Sequence, residues 1–132
     1  MNHAIRQFLT SPAYAVAGAS TNRQKFGNKV LRCYQQNQKT VYPVNPSVDE
    51  IEGLPCIRAI ADLPDTVNSL SIITPPAVTE KIVEQAIAKG IRNIWMQPGA
   101  QSAAAIANCL KHGVSVIADG SCVLVELGFQ DH

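Results

Sequence analysis

Tyr14-Ala15-Val16-Ala17-Gly18-Ala19-Ser20-Thr21-Asn22-Arg23-Gln24-Lys25-Phe26-Gly27 is the stretch on which the fold turns. A short apolar run reaches a glycine. After a polar loop comes a segment from Gly27 to about Asn37 that places Val30, Leu31 and Tyr34 on one face, as an amphipathic helix does. A buried strand that hands over to a helix in this way is the opening half of a βαβ unit.

The same alternation repeats along the chain. Val41-Tyr42-Pro43-Val44 reads as a second strand, and Pro43, which cannot donate to a ladder, marks it as an edge or a strand end. Leu70-Ser71-Ile72-Ile73 is a third strand, stopped by Thr74-Pro75-Pro76. From Pro76 to Lys89, Val78, Ile82, Val83, Ala86 and Ile87 recur at helical spacing, with Pro76 suited to the first turn and Gly90 to the C-terminal cap. Asn93-Ile94-Trp95-Met96 is the next strand. Ser102 to His112 repeats the helical pattern through Ala103, Ile106, Ala107 and Leu110 and ends at Gly113, and Val114-Ser115-Val116-Ile117 is the last strand. Between Pro46 and Asn68 the pattern is weaker, with a short strand at Pro55-Cys56-Ile57 and one helical turn in Ala59 to Leu63. These segments predict an α/β fold. Residues 1–132 are expected to form one Rossmann-like, doubly wound domain of about five mainly parallel strands with helices on both faces.

Composition narrows the function classes. Of 132 residues 46% are hydrophobic and 16% charged, which is too apolar for a disordered chain. Eleven Lys and Arg nearly balance ten Asp and Glu, and a net charge of +1 supplies no field to hold a nucleic-acid backbone. No nucleic-acid partner is expected. No run approaches the roughly 18 apolar residues of a membrane span, and Met1 to Leu9 lacks a signal peptide's hydrophobic stretch, so the expectation is a cytoplasmic protein without membrane contact. Cys33, Cys56, Cys109 and Cys122 show no CxxC spacing and are read as reduced thiols, with no metal site.

In a doubly wound sheet the ligand sits past the carboxyl ends of the strands, where the strand order reverses. The loops that matter therefore follow Ala17, Val44, Ile73, Met96 and Ile117. The first joins a strand to a helix N-terminus. It offers backbone amides at Gly18 and Ala19, hydroxyls on Ser20 and Thr21 and cations on Arg23 and Lys25, a set suited to phosphate. Gly18 is expected to let a ligand approach the backbone, so that Gly18→Val would abolish binding and spare the fold. No G-x-G-x-x-G and no G-x-x-x-x-G-K-[ST] is present, and the second strand ends in Val44-Asn45-Pro46 without the acidic residue that a nicotinamide dinucleotide's ribose wants. NAD and ATP become second choices. Thr74-Pro75-Pro76 can line a slot for an extended, mostly apolar arm or can simply start the helix. Gln97 brings an amide and Cys122 a thiol to the same rim.

These residues resemble a known family. Val16-Ala17-Gly18-Ala19-Ser20, Pro43-Val44-Asn45-Pro46 with Glu50-Ile51-Glu52-Gly53 behind it, Ala61-Asp62-Leu63-Pro64, Trp95-Met96-Gln97-Pro98-Gly99 and the Cys122 and Glu126 pair are similar to the small stand-alone CoA-binding proteins. Their fold resembles the N-terminal domain of the succinyl-CoA synthetase alpha subunit. The resemblance implies coenzyme A as the bound cofactor, its diphosphate at Ser20 to Lys25, its adenosine end at Val44-Asn45-Pro46, its pantetheine along Thr74-Pro75-Pro76 and its thiol end toward Gln97 and Cys122. The family pattern has a basic residue just before the cysteine, where this chain has Ser121.

A catalytic set is harder to find. His3, His112 and His132 fall in the N-terminal segment, at a helix end and at the last position, and Asp119 and Glu126 read as capping or salt-bridging carboxylates. Ser121 lacks a nucleophile elbow. Cys122 is the one reactive candidate, since a short helix through Val123 to Val125 would set it at an N-terminus that favours thiolate. The expected function is binding of coenzyme A or a short acyl-CoA without turnover. The alternatives are an NAD-binding Rossmann protein acting as redox sensor or oxidoreductase, and an acyl-CoA enzyme that uses Cys122. A homodimer or a partner protein is compatible with the apolar edge segments.

Overall fold

The computed structural model describes residues 2–131. Five strands, β1 (Ala13–Ala17), β2 (Val41–Val44), β5 (Val67–Ile72), β6 (Asn93–Met96) and β7 (Ser115–Ile117), form one sheet in the order β2-β1-β5-β6-β7. Every pairing in it is parallel. The α/β reading of the sequence is met. Residues of β1 are buried on both faces, as the near-continuous apolar run of a central parallel strand requires.

Alternate residues of the strands build two cores. Ala13, Ala15, Ala17, Leu70, Ile72, Ile94 and Met96 face α3 (Pro76–Lys89) and α4 (Ala103–Lys111). Tyr14, Val16, Trp95 and Ile117 face α1 (His3–Phe8), α2 (Phe26–Gln36) and α5 (Val123–Glu126). Two hydroxyls of β5 point into the second core and find partners there. Ser71 Oγ lies 2.7 Å from Tyr34 Oη, and Ser69 Oγ donates to the Phe8 carbonyl at 2.8 Å. A buried hydroxyl left unpaired would cost about 1–3 kcal/mol.

Several elements depart from the sequence reading. The N-terminal segment is a helix, capped by Asn2, whose side chain accepts from the Ile5 amide at 2.8 Å, and it buries Ile5 and Phe8. Helix α4 forms as expected but buries Ala105 and Cys109 together with its N-cap Ser102, leaving Leu110 66% exposed. An almost wholly apolar helix gives little contrast by which to choose its inner face. The weak region holds a hairpin of β3 (Glu50–Ile51) and β4 (Leu54–Pro55), turned through Glu52 and Gly53 at φ +50° and +80°. Ile57 then runs beside the open edge of β2, donating to the Pro43 carbonyl at 2.8 Å and accepting from the Asn45 amide at 3.0 Å. Pro43 thus lies on the edge strand, where its missing N–H faces outward.

Candidate functional site

The strand order reverses between β1 and β5, and a cleft of about 370 Å³ opens at their carboxyl ends. Ala17, Gly18 and Ala19 form its floor, Val44, Asn45 and Pro46 one wall, and Thr74, Val78, Ile82 and Gln85 the other. Arg58, Ala59 and Ile60 close the remaining side. The walls are mostly apolar, with Asn45, Arg58, Thr74 and Gln85 as polar points.

Backbone proximity builds the floor. Gly18 has φ +93°, and a Cβ there would collide with the Ile73 carbonyl and lie 3.2 Å from Thr74 Cγ2. A Cβ on Gly27 would in turn collide with the Gly18 carbonyl. The end of β1, the first turn of α2 and the end of β5 are therefore in direct main-chain contact. Asn45 ties the second loop to the first. Its Nδ2 donates to the Ala19 carbonyl at 3.0 Å, and its Oδ1 accepts from the amides of Ser47 at 2.8 Å and Val48 at 3.2 Å.

Ser20, Thr21, Arg23 and Lys25 lie beside this cleft, on the loop into α2. Ser20 Oγ accepts from the Asn22 amide at 3.1 Å, and Lys25 occupies the N-cap of α2 without a side-chain cap, so its side chain satisfies none of the first amides of the helix. Arg23 is ion-paired with Glu52 of the hairpin turn. Asn28 donates to Glu52 at 3.1 Å and to the Ser20 carbonyl at 2.9 Å. The hydrogen bond from Asn28, followed by those of Arg23, holds the Glu52 carboxyl below its ordinary range. Behind them the buried Arg32 donates through Nε to Asn28 at 2.7 Å, through Nη2 to the Arg23 carbonyl at 3.0 Å and through Nη1 to Asp131 at 3.0 Å.

Thr74 bridges two clefts. A second, more open one of about 250 Å³ is lined by Ile73, Thr74, Pro75, Pro98, Gly99 and Ala100. Thr74 Oγ1 lies 2.8 Å from Thr79 Oγ1, and Pro75 is the N-cap of α3. Pro76 lines neither cleft and serves in the first turn of α3.

Gln97 and Cys122 stand together below the rim. Gln97 is fully buried, its Oε1 accepts from the Val123 amide at 3.0 Å, and among the described residues its Nε2 has no partner. Cys122 is half-buried at the N-cap of α5, as the sequence suggests. Cys33 Sγ lies 3.7 Å from the Val123 carbonyl, and burial, reinforced by Cys122 nearby, pushes the Cys33 thiol up to about 11. Asp119 accepts from the Ser121 amide at 3.0 Å, and the Ser121 hydroxyl, followed by this amide, lowers its carboxyl. His3 is exposed on α1, and His112 caps α4 with Nδ1 2.9 Å from the Asn108 carbonyl. His132 lies outside the described residues.

The sequence reading missed Arg58, Ala59, Ile60, Ile82, Val78 and Gln85 as cleft residues. Val78 and Ile82 fit the apolar period of α3 but turn toward the cleft, and Val78 is left 43% exposed. Arg58 carried no signal, being a single cation in the weakest stretch.

Residues 12–128 match the model of the family described as CoA binding domain. The chain belongs to that family. Among relatives of this family member, an ADP-forming acetate–CoA ligase of Methanocaldococcus jannaschii is 31% identical over 87 residues, which are 65% of this chain and 12% of that protein. The chain thus spans a small part of the curated relatives it matches. A conserved hypothetical protein of Pyrococcus furiosus superposes with a TM-score of 0.83 at 38% identity, covering 86% of this chain and 97% of that one. The dinucleotide-forming acetyl-coenzyme A synthetase 1 of Candidatus Korarchaeum cryptofilum, solved with phosphate and ADP, superposes with a TM-score of 0.75 at 26% identity over 91% of this chain and 28% of that one. Among the described residues of this CoA-binding-family chain, no helix is long and apolar enough to cross a membrane.

Proposed function

We propose that this protein binds coenzyme A or a short acyl-CoA across the carboxyl ends of β1, β2 and β5, in the cytoplasm and without turning it over. The observation that carries the reading is the apolar cleft at the strand-order reversal, flanked by the uncapped start of α2. The diphosphate lies against the amides of Gly18 and Ala19 and the first turn of α2, with Ser20, Thr21, Arg23 and Lys25 around it. The adenosine end enters the cleft beside Val44, Asn45 and Pro46. The pantetheine arm follows Thr74 and Pro75, with Pro76 behind them, into the more open cleft, and its thiol points toward Gln97 and Cys122.

Family membership supports the ligand class, and the absence of an acidic residue at the end of β2 argues for coenzyme A over NAD. Thermal unfolding with coenzyme A, dephospho-CoA, NAD and ATP tests the choice, because a ligand that binds only the folded chain raises its stability by mass action. Coenzyme A should give the largest upward shift. A larger shift with NAD would overturn the reading. Free thiol followed during incubation with acetyl-CoA tests the absence of turnover, and release that disappears in Cys122→Ser would show an acyl-CoA enzyme instead.

A further inference from the structure

Arg58 is the one Lys or Arg among the described residues that line the larger cleft. Arg23 and Lys25, the cations legible in the sequence, lie on the α2 loop outside its lining. The chain therefore sets two separate positive points around the site, one at the start of α2 and one at Arg58, which follows Ile57 and reaches back to Pro46 in the turn after β2.

The guanidinium of Arg58 is placed to receive an anion. Its Nη1 donates to the Pro46 carbonyl at 2.8 Å, which fixes the side chain against the wall of the cleft, and its Nη2 pairs with Asp49. Asp49 is 89% exposed and Arg58 57% exposed, so this pair sits in water, where such pairs hold each other weakly. A phosphate group presented from the cleft offers the fork a stronger, charge-assisted partner. Beside Arg58 the lining is apolar, with Ala59, Ile60 and Val44. A flat base seated there would carry its sugar toward Pro46 and Arg58.

We propose that Arg58 reads the phosphomonoester on the ribose of the ligand and so determines specificity for coenzyme A over dephospho-CoA. This rests on the coenzyme A reading above and adds a residue and a discrimination to it. Asp49 acts through Arg58, as a competing anion that the phosphomonoester displaces.

Calorimetric titration of wild type, Arg58→Gln and Asp49→Asn with coenzyme A and with dephospho-CoA tests the proposal, with thermal unfolding to confirm that each variant folds. Wild type should prefer coenzyme A by about tenfold or more, the scale of a charge-assisted hydrogen bond. Arg58→Gln should erase that preference by weakening coenzyme A alone, and Asp49→Asn should bind coenzyme A a few-fold tighter with dephospho-CoA unchanged. Equal weakening of both ligands in Arg58→Gln would show that the residue only braces the turn through Pro46, and overturns the proposal. So does a wild type that binds both ligands equally. Failure of wild type to bind either ligand overturns the coenzyme A reading itself, and this one with it.

Discussion

Gly18 and Ile73 meet backbone to backbone, with no room for a side chain between the end of β1 and the end of β5. The sequence suggests that Gly18 is kept bare for a ligand. The structure shows that the protein's own main chain fills the space its Cβ would take, so Gly18→Val damages the fold before it damages binding.

Gly18→Ala and Gly27→Ala should each cost about 3 kcal/mol or more of folding stability, since backbone atoms cannot yield as a flexible side chain can. Gly53→Ala provides the contrast. That residue has φ +80° but nothing within 4 Å of its Cβ position, so only backbone strain of about 1 kcal/mol is expected. Urea denaturation of the three variants checks the ranking, and equal losses would contradict it.

Arg32 holds the α2 loop from beneath. Removing it in Arg32→Met leaves Asn28 Oδ1 and the Arg23 carbonyl without their donor and takes a cation from over the Phe129 ring, 5.1 Å away. A loss of about 2–4 kcal/mol follows from partly buried groups left unpaired. Asp131→Asn removes only the exposed end of the same network and should change stability little. Denaturant midpoints of the two variants measure the difference.

Glu52 makes that loop sensitive to acid. Its carboxyl is held low by Asn28 and then Arg23, so the folded state favours the ionised form. The resulting stability is present above the ordinary carboxylate range and is lost as pH falls through the lowered folded value. Glu52→Gln should therefore be less stable than wild type near neutrality, with the gap closing in acid. A gap that stays constant from pH 7 to pH 3 in thermal unfolding would contradict this.

The sheet strands were legible because short apolar runs stop at or within three residues of a Gly or Pro, at Gly18, Pro46, Pro75, Pro98 and Gly120. Gly90 and Gly113 marked the helix ends in the same way, and both lie in the left-handed region. Helix α1 was not legible, since Asn2 caps a segment whose two buried residues, Ile5 and Phe8, are too few to show a period. The first loop was legible as a polar turn at a helix start, but its ion pair with Glu52 was not, because it depends on where a hairpin 29 residues away comes to rest. Arg58 was hidden for the same reason. Its place on the cleft comes from Ile57 running beside β2, a contact that no local pattern encodes.

The four cysteines should separate cleanly by reactivity. Cys33 and Cys109 are fully buried, and burial pushes both thiols up to about 11. Cys56 and Cys122 are partly exposed. Iodoacetamide at pH 8 should modify Cys122 and Cys56 in the folded protein, Cys56 slowed because burial raises its thiol, and reach Cys33 and Cys109 only in denaturant. Peptide mass spectrometry reads the outcome, and labelling of Cys33 in the folded state would place it in a more open setting than the one described.

Arg23 and Lys25 should act on affinity in a way that salt reveals. Both side chains are exposed at the start of α2, so their attraction for a diphosphate is screened by ions, whereas amides in the first turn of the helix depend less on ionic strength. Replacing both by Gln should weaken coenzyme A by about 1–3 kcal/mol at low salt, and the loss should shrink as salt rises. Arg58→Gln, at the other end of the proposed ligand, should add to this loss nearly independently, because Arg58 bonds Pro46 and Asp49 while Arg23 pairs with Glu52 on a different loop. Titrations of the double and triple variants at two ionic strengths measure both effects. Unchanged affinity in the Arg23 and Lys25 variant would move the diphosphate away from the α2 loop, and a salt-independent loss would mean that the two side chains shape the loop instead of meeting the phosphates.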